Sequence, residues 1–516
     1  MNSLLINTSA VAVNSGAYRS LVFGRGNQAV SHPSAQSYSY NTSEDDLTLV
    51  AVAVIAARHS ADWRQLHRWE PQLQRASTID LAPFHSLLLP LRSSAQRAVA
   101  AREAEALRTQ NHRWPASDAL SASAALGVAI LRGSANNNED RLATLLSIDA
   151  HRFSARLFTS ELEPTAVAHL ESVNEGRHSS MAHLNDANLA HRLSRYHIIL
   201  DCSGHTRGNR LAVLARRPAA VATAVLGYPG SYGGHGLVDY LTVDRLVCAA
   251  AAPSTARCNC PRERLSILPT SYMVPPQSRG QLSLPPTQAS GLRVRGQQSL
   301  PPGRSGGAGG GGPGGSPATT ARRPLLGSFT RTDRWHPSSF ELWTAILRHT
   351  GPRTRLVLLA EDATVQRRIS DELAAHGLQA HRALFGRYRS HKASHLARHA
   401  QLTLCVDSTP LYASHTTGAD CLWAAVPLLT LPAEGWASRV GTSTLSAVSQ
   451  PLTASTSAKA LVDLAARLIA PPSSSSGPVR VLENDAGKAR GLRRAIVLSM
   501  APPPFSLGSL RALVRQ

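Results

Sequence analysis

The sequence lacks any apolar run that approaches the roughly 20 residues a helix needs to cross a bilayer. Its longest apolar run, Leu47 to Ala57, is bounded by Asp46 and Arg58, which favours a buried element over a membrane span. Cysteine is also sparse: six residues without regular spacing argue against a disulfide framework. Cys258 and Cys260 form a lone CxC pair with no second ligand pair nearby, so zinc is not expected.

Lysine is scarce as well. It occurs only at Lys392, Lys459 and Lys488, although Lys and Arg together number 54 and the formal net charge is +21. Because the arginines are spread along the chain, they do not resemble the basic arm of a nucleic-acid-binding protein, and nucleic acid is not an expected partner. We interpret them mainly as solvated surface, with affinity for anionic ligands as the alternative.

Acidic residues are absent from the first 43 positions, which are rich in Ser, Asn and Ala. We expect residues 1–45 to be a disordered tail, with an organelle-targeting segment as the alternative. Otherwise we expect the protein in the cytoplasm or nucleus. The chain shows no internal repeat with a period of about 20 to 50 residues.

Alternating hydrophobic patterns predict an α/β protein with two lobes. Residues 46–120 have apolar positions at three- and four-residue spacing, which predicts a helical lead-in. Short strand-like runs alternate with helical pieces in residues 121–273, the predicted N-terminal lobe. A Gly- and Pro-rich linker, residues 274–323, separates this lobe from a C-terminal lobe in residues 324–470. Residues 471–516 are assigned to a second linker and C-terminal helices.

The segment HTTGADCLWAAVPLLTLP, which starts at His415, combines a helix start with a buried strand. A short helix is predicted over Ala419 to Ala425, and Thr416 and Thr417 add hydroxyl donors to its free N–H groups. Gly418 would let a ligand approach the backbone closely. Because the segment follows the strand-like run LTLCVD, it lies where ligands of α/β sheets bind. This corner suits a phosphate, with an ordinary threonine cap as the alternative.

Two long motifs resemble the catalytic region of the protein O-GlcNAc transferases and their SPINDLY-type relatives. One is HTTGADCLWAAVPLLTLPAEGWASRVGTSTL, and the other is LDCSGHTRGNRLAVLARRPAAVATAVLGYPGSYGGHGLVDYLTVD, from Leu200. FTRTDRWHPSSFELWTAIL, from Phe329, is similar to the segment that opens the family's second lobe. The likeness covers most of residues 60 to 470.

The resemblance implies a GT-B fold, in which two Rossmann-like lobes flank a cleft. Members of the family move N-acetylglucosamine from UDP-GlcNAc to Ser or Thr hydroxyls of proteins, with inversion and without a metal or other cofactor. The SPINDLY branch instead moves fucose from GDP-fucose. The resemblance thus implies a UDP-sugar and acceptor proteins as partners, and no membrane.

The same resemblance implies roles for individual residues. It assigns the diphosphate to His415, Thr416 and Thr417, and the ribose to Asp420. It assigns the nucleoside to Lys392, His395 and Arg398, which would otherwise be interpreted as the basic face of a helix. The complete set implied to bind the donor is Arg331, Arg334, Ser390, Lys392, His395, Arg398, His415, Thr416, Thr417 and Asp420.

The chain departs from the family at the expected catalytic positions. Asn137 stands where the family has the active-site histidine of a GNHP turn, and asparagine cannot accept a proton at neutral pH. Arg334 stands where a lysine contacts the diphosphate, so charge is kept while geometry changes. Arg331 matches a polar amide in many relatives. His178, in NEGRHSSM, matches a second active-site histidine and is the remaining candidate base, with an exposed loop histidine as the alternative.

The tetratricopeptide array that usually precedes the catalytic region in the family is missing from these 516 residues. We expect selection of protein substrates to come from elsewhere, unless the sequence is truncated. The leading hypothesis is an active protein O-GlcNAc transferase. A fucosyl variant and a catalytically impaired pseudoenzyme that binds nucleotide sugars are the alternatives.

The Gly/Pro-rich linker yields a first prediction. Deleting Gly306 to Gly315 should leave the melting temperature nearly unchanged, because changing the length of a flexible loop costs only about 0.6 kcal/mol per doubling. Thermal unfolding of the intact and shortened chains measures this. A drop of ~10 °C or more would correspond to several kcal/mol and would show that the segment is packed.

Overall fold

The computed structural model describes a set of ranges that together include most of both lobes. These ranges are 44–63, 66–76, 79–114, 125–134, 153–161, 177–234, 236–248, 263–268, 271–273, 323–389, 392–424, 426–447, 454 and 457–469. The expected tail before residue 44, the linker from 274 to 322 and the segment after 469 lie outside them. The candidate residues Asn137 and Ser390 also lie outside the described residues.

Helices and strands alternate through these ranges. The helices are α1 Glu44–His59, α2 Leu66–Arg75, α3 Pro83–Ser86, α4 Ser93–Gln110, α5 Asp186–Leu193, α6 Leu211–Ala215, α7 Pro337–His349, α8 Ala363–Ala375, α9 Lys392–His399, α10 His415–Trp423, α11 Trp436–Ala447 and α12 Ala458–Ile469. The strands are β1 Leu126–Ser134, β2 Phe153–Glu161, β3 His178–Ser180, β4 Ile198–Asp201, β5 Val221–Ala224, β6 Tyr240–Asp244, β7 Arg264–Leu268, β8 Leu325–Ser328, β9 Arg355–Leu359, β10 Ala383–Gly386, β11 Leu404–Val406 and β12 Leu428–Leu429.

The strands form two parallel sheets, one in each lobe. The first has seven strands in the order β3-β2-β1-β4-β5-β6-β7, and the second has five in the order β10-β9-β8-β11-β12. In the first sheet Val128 of β1 lies opposite Ile198 of β4, and in the second Leu326 of β8 lies opposite Leu404 of β11. The expected α/β architecture of two Rossmann-like lobes is confirmed.

Local sequence explains most of these elements. All residues of β4 and β6 are buried, as expected for apolar runs in parallel sheets covered on both faces. Helix α8 begins after Asp362, whose carboxylate accepts hydrogen bonds from the N–H groups of Thr364 and Val365. Helix α7 begins with Pro337 in its first turn, where the missing N–H has no cost. The run AHRALF, from Ala380, divides into a 3-10 turn and β10.

Helices α1 and α2 of the lead-in pack against the C-terminal lobe, whereas Ala104 of α4 packs into the core of the N-terminal lobe. One hydrophobic core combines apolar side chains of α1 and α2 with those of α7, α8 and the second sheet. The ring of Trp63, for example, lies 5.1 Å from that of Phe340 between centroids. Arg368 of α8 also donates a hydrogen bond to the carbonyl of Ser60 at 2.9 Å. The first two helices of the lead-in are therefore packed against a lobe that begins more than 200 residues later in the chain.

A buried charge cluster reinforces this contact. Arg58 of α1 is almost fully buried and donates hydrogen bonds to the carbonyl of Leu88 and to Glu70 Oε1, the latter at 2.8 Å. The same carboxylate lies 3.1 Å from Nε2 of His336, the residue that caps α7. Burial would raise the pKa of Glu70, but the hydrogen bond and charge of His336, together with Arg58, hold it below its ordinary value.

The two lobes also contact each other directly. Ser443 of α11 donates a hydrogen bond to Oδ2 of the buried Asp244, at the end of β6, over 2.6 Å. Ser271 Oγ lies 2.5 Å from Ser443 Oγ, and the rings of Tyr272 and Trp436 meet edge to face at 5.5 Å. The contact is therefore partly polar and fully buried, and it joins the last part of the first lobe to α11.

Two further findings bear on the class of protein. None of the described helices combines the length and hydrophobicity that a membrane span requires. Within the described residues one disulfide bond joins Cys405 of β11 to Cys421 of α10. One disulfide bond within a lobe is not a framework of several disulfide bonds, which is what the sparse cysteines argue against.

The buried cluster yields a second prediction. Glu70→Ala should lower the free energy of unfolding by about 3–5 kcal/mol, because it leaves Arg58 buried without its counter-charge. Denaturant unfolding followed by circular dichroism measures this. Because the folded pKa of Glu70 is lowered, its contribution is complete above its ordinary value of 4.5 and is lost as the pH falls through the folded value.

Glu105→Ala is the matched control. Glu105 pairs with Arg108 at 2.7 Å, but both side chains are about half exposed, so its removal should cost no more than about 1 kcal/mol. Equal destabilisation by the two substitutions would contradict the assignment of Glu70 to a structural ion pair.

Candidate active site

The candidate site lies at the switch point of the five-stranded sheet. The chain enters this sheet at β8, adds β9 and β10 on one side, and then adds β11 and β12 on the other. In open α/β sheets ligands bind beyond the carboxyl ends of the strands at such a point. The segments after β8 and β11 therefore border a ligand site, and they carry Arg334 and His415 respectively.

The loop after β11 is held by the buried carboxylate of Asp407. Its Oδ1 accepts hydrogen bonds from the N–H groups of Ser408 and Ser414, at 2.7 and 2.6 Å. Its Oδ2 accepts one from Thr430 Oγ1 at 2.6 Å. Burial raises the pKa of Asp407, and these three hydrogen bonds oppose the rise. A carboxylate with three donors fixes the path of the chain into α10.

Helix α10 begins at His415, one turn before the predicted start at Ala419. The φ angle of His415 is 35°, so the chain turns through the left-handed region as it enters the helix. Thr416 and Thr417, both half-buried, thus form the first turn instead of preceding it. The N–H groups of a first turn have no acceptor within their own helix, so a helix start of the expected kind lies here, one turn earlier than predicted. Its use as a phosphate corner stays a prediction.

Gly418 has a different role from the predicted one. We expected this glycine to let a ligand approach the backbone, but a Cβ there would lie 2.7 Å from Ser414 Oγ and 3.0 Å from Leu428 Cδ2. The residue is buried between the start of α10 and β12. Its small size is therefore explained by close packing of the helix on the sheet.

The structure brings together four of the residues implied to bind the donor. Lys392 Nζ of α9 donates to Asp420 Oδ1 at 2.6 Å, and His395 Nε2 lies 3.1 Å from Asp420 Oδ2. Arg398 Nη2 lies 2.6 Å from Nδ1 of His395. Because a guanidinium can only donate, His395 Nδ1 carries a lone pair and its Nε2 carries the proton given to Asp420. The residues form one network between α9 and α10.

The charges of this network are set by burial and pairing. Burial would raise the pKa of Asp420, but the hydrogen bond from His395 and the charge of Lys392 outweigh it and hold the pKa well below its usual range. Burial lowers the pKa of His395, and Asp420 opposes the change. Burial, followed by the charge of Arg389, lowers the pKa of Arg398 to about 10. At neutral pH the site therefore holds an ionised Asp420, a neutral His395 and a cationic Arg398.

Aromatic rings support the network from the β8 side. The guanidinium carbon of Arg398 lies 4.2 Å from the ring centroid of Phe329, and Arg398 also donates to the carbonyl of Arg387 at 2.6 Å. The buried His399 lies edge-on to Phe329 at 4.8 Å and to His395 at 4.5 Å. Burial lowers the pKa of His399 to about 3, so this ring is neutral. Sequence reasoning missed Phe329 and His399.

The two arginines after β8 have different surroundings. Arg331 is about two-thirds exposed and pairs with the buried Asp333 at 2.7 Å. The guanidinium carbon of Arg334 lies 4.5 Å from the ring centroid of Tyr412, and the ring of His415 is stacked on the same tyrosine at 4.3 Å. Tyr412 thus joins two residues implied to bind the diphosphate, and sequence reasoning did not identify it.

On the first lobe, the candidate base lies at the edge of the sheet. His178 begins the edge strand β3, and its Nε2 is 2.9 Å from Oγ1 of the buried Thr159. The switch point of this sheet lies elsewhere, between β1 and β4, and the segment with Asn137 follows β1. The structure thus places His178 at the edge of the sheet and not at its switch point.

A second histidine does follow β4 at that switch point. The ring of His205 lies 5.1 Å from Tyr228 and 5.7 Å from Tyr232, and its buried Nε2 has no hydrogen-bond partner within the described residues. Burial lowers the pKa of His205 to about 4, so the ring is neutral at pH 7. Tyr232 in turn donates to the buried Asp201 at 2.7 Å. His205 belongs to the long motif that starts at Leu200, but the motif assigned it no role. The position of this histidine after a buried strand was a usable signal.

Taken together, the groups that the second lobe brings together suit an anion attached to a polar ring system. Cationic side chains lie near the start of α10, and an ionised carboxylate lies one turn further along this helix. Such a set of donors and acceptors suits a nucleoside diphosphate. Within the described residues, no group of three or more His, Cys, Asp or Glu side chains is arranged to hold a metal ion.

Comparison with known proteins agrees with this geometry. The chain is 28% identical over 244 residues to SEC of Arabidopsis thaliana, named a probable UDP-N-acetylglucosamine–peptide N-acetylglucosaminyltransferase, covering 47% of this chain and 22% of that protein. It is 33% identical over 141 residues to the UDP-N-acetylglucosamine–peptide N-acetylglucosaminyltransferase of Caenorhabditis elegans, covering 27% of this chain and 12% of that protein. The chain thus spans less than a quarter of the length of these curated relatives.

Solved structures and family models extend the comparison. A mutant O-GlcNAc transferase of Thermobaculum terrenum superposes with a TM-score of 0.64 at 20% identity, covering 92% of this chain and 83% of that one. This likeness confirms the expected GT-B fold. The model of glycosyl transferase family 41 matches residues 180–279 and 325–474, which include both long motifs. As the motifs predicted, these two regions of the chain belong to glycosyl transferase family 41.

Proposed function

We propose that the protein transfers N-acetylglucosamine from UDP-GlcNAc to serine or threonine hydroxyls of proteins, with inversion at the sugar carbon. The observation that carries this proposal is the network of Lys392, His395 and Arg398 around Asp420, next to the start of α10. The names of the relatives support this donor and this class of acceptor. The expected cytoplasmic or nuclear location is part of the same proposal.

The network can hold the nucleoside part of the donor. Each carboxylate oxygen accepts more than one hydrogen bond, so Asp420 retains lone pairs after it has accepted from Lys392 and His395. The ribose hydroxyls would donate to these lone pairs. Lys392 is about one-fifth exposed and His395 about one-sixth, so both remain accessible to a bound nucleoside.

The start of α10 and Arg334 can stabilise the departing diphosphate. Negative charge grows on UDP as the bond between the sugar carbon and the phosphate oxygen breaks. Fixed donors at that position, such as first-turn N–H groups, the hydroxyls of Thr416 and Thr417 and a guanidinium, stabilise such charge without reorganisation. Because the chain itself supplies these groups, the expectation of transfer without a metal or other cofactor is kept in the proposal.

The acceptor hydroxyl must lose its proton as it attacks the sugar carbon. His178 is kept as the candidate base. Asn137 cannot take this role, because its side-chain amide does not accept a proton at neutral pH. Transfer through water or through a phosphate oxygen of the donor is the alternative, and it requires no histidine.

Mass spectrometry of an acceptor protein tests the proposal directly. Incubation with UDP-GlcNAc should add one or more N-acetylhexosamine units on Ser or Thr, whereas GDP-fucose should add nothing. Addition of fucose from GDP-fucose would replace the proposed donor. Tight binding of UDP without any transfer would instead support a catalytically impaired protein.

The donor network yields a third prediction. The protein should bind UDP in preference to GDP, and Asp420→Ala and Lys392→Ala should each weaken UDP binding about tenfold or more, as expected for a hydrogen bond to a charged group. Isothermal titration calorimetry measures the affinities. The exposed Lys459–Asp463 pair, 2.8 Å apart on α12, provides matched controls in Lys459→Ala and Asp463→Ala, which should leave the affinity unchanged. A folded wild-type protein that binds no UDP would falsify the assignment of this site.

The departure at Asn137 yields a fourth prediction. Asn137→His should raise the rate of transfer to a protein acceptor, because general acid–base groups contribute about 10² to 10⁴ in rate. UDP affinity should change little, since the donor is assigned to the other lobe. Rates and affinities are compared for the wild type and the variant. An unchanged rate in an active enzyme would show that Asn137 does not occupy the position of the family's histidine.

A further inference from the structure

Tyr412 occupies a position between groups that the proposed function places on one diphosphate. Its ring is stacked on that of His415, with centroids 4.3 Å apart and planes inclined by 14°. The guanidinium carbon of Arg334 lies 4.5 Å from the centroid of the same ring. One aromatic side chain therefore contacts a residue from the segment after β8 and a residue from the segment after β11.

The backbone holds this ring in place on both sides. Ser408 Oγ donates to the carbonyl of Tyr412 at 2.9 Å, and the next residue, Ala413, donates its N–H to the carbonyl of Ala437 at 2.9 Å. His415 Nε2 lies 3.0 Å from that same carbonyl of Ala437. With 3% of its surface exposed, Tyr412 has no room to adopt another rotamer without moving its neighbours.

Other parts of the protein reach the same ring. Phe84 of α3, in the helical lead-in, meets Tyr412 edge to face at 6.0 Å between centroids. Tyr228 of the first lobe lies close enough to interact with Tyr412 electrostatically, and Tyr412 packs into the core of that lobe. The ring is therefore fixed by the lead-in and by both lobes.

Arg334 itself shows a feature that points to a ligand. Its Nε is buried and has no hydrogen-bond partner in the described part of the chain. A buried donor on a cation is costly to leave unpaired, and an anion bound beside it would supply the acceptor. The contact with the face of Tyr412 holds the guanidinium in place without using any of its hydrogen-bond donors.

We propose that Tyr412 is a positioning residue of the donor site, which orients Arg334 and His415 toward one diphosphate. The inference rests on the proposed function, because that function assigns both residues to the diphosphate. An aromatic face suits this role, since it attracts a cation on its π surface and stacks on an imidazole. An aliphatic side chain of similar size would fill the space but would do neither.

Substitution at Tyr412 tests the role. Tyr412→Leu should weaken UDP binding about tenfold, the scale of a cation–π contact at a desolvated site. The loss should be larger for UDP than for UMP, because the second phosphate adds contacts to the oriented pair. Tyr412→Phe keeps the ring and should restore most of the affinity that Tyr412→Leu loses. Calorimetry gives the affinities, and circular dichroism confirms that each variant is folded.

Tyr196→Leu is the matched control. Tyr196 packs against Phe158 in the first lobe, so the same chemical change occurs away from Arg334 and His415. UDP affinity should be unchanged in this variant. Tyr412→Met provides a second non-aromatic side chain with a more adaptable shape.

The possible outcomes separate the two proposals. Wild-type protein that binds no UDP would remove the proposed function, and this inference with it. Wild-type binding with unchanged affinity in Tyr412→Leu would overturn the inference alone, as would equal losses for UDP and UMP. Failure of both Tyr412→Leu and Tyr412→Met to fold would assign the ring to the core and also overturn a positioning role.

Discussion

The buried, ionised carboxylate of Asp420 is the constraint on which the candidate site depends. Removing a charge from water costs several kcal/mol, so it is stable only where opposite charge and hydrogen-bond donors surround it. Lys392 and His395 supply both from α9, and Arg398 determines which nitrogen of His395 carries the proton. Two helices separated along the chain are thereby held in one relative orientation, and the start of α10 is oriented with them.

The rest of the fold supports the same region from several directions. Asp407 holds the loop into α10, and the cluster of Arg58, Glu70 and His336 attaches the lead-in to the N-terminus of α7. The Arg334 loop lies directly before that helix. A site assembled from distant segments requires such supports, because each loop alone has too few contacts to keep its shape.

Sequence patterns predicted the elements whose signals are local. The run from Ser93 to Gln110 has helical spacing throughout and forms α4 as predicted, and the buried runs of β4 and β6 form strands. The start of α10 was misplaced because a histidine, not a glycine, adopts the positive φ that begins it. A positive φ at a histidine cannot be predicted from the residue type, because it is glycine that usually adopts this conformation.

The candidate site could be predicted only as far as motif resemblance reached. Lys392, His395, Arg398 and Asp420 were identified in this way, although their mutual hydrogen bonds were not. Tyr412 was missed because a single aromatic residue in a loop has no periodicity to analyse. The packing of the lead-in on the C-terminal lobe was also missed, since it depends on contacts across hundreds of residues.

The contact of Asp244 with Ser443 opposes separation of the two lobes at this point. Asp244 also accepts hydrogen bonds from the N–H groups of Leu246, Val247 and Tyr272, all within its own lobe. Pulling Ser443 away would leave a buried carboxylate short of one donor, at a cost of roughly 1–3 kcal/mol. A movement that separates the two lobes near Asp244 therefore carries this cost, whereas a movement that keeps the hydrogen bond does not.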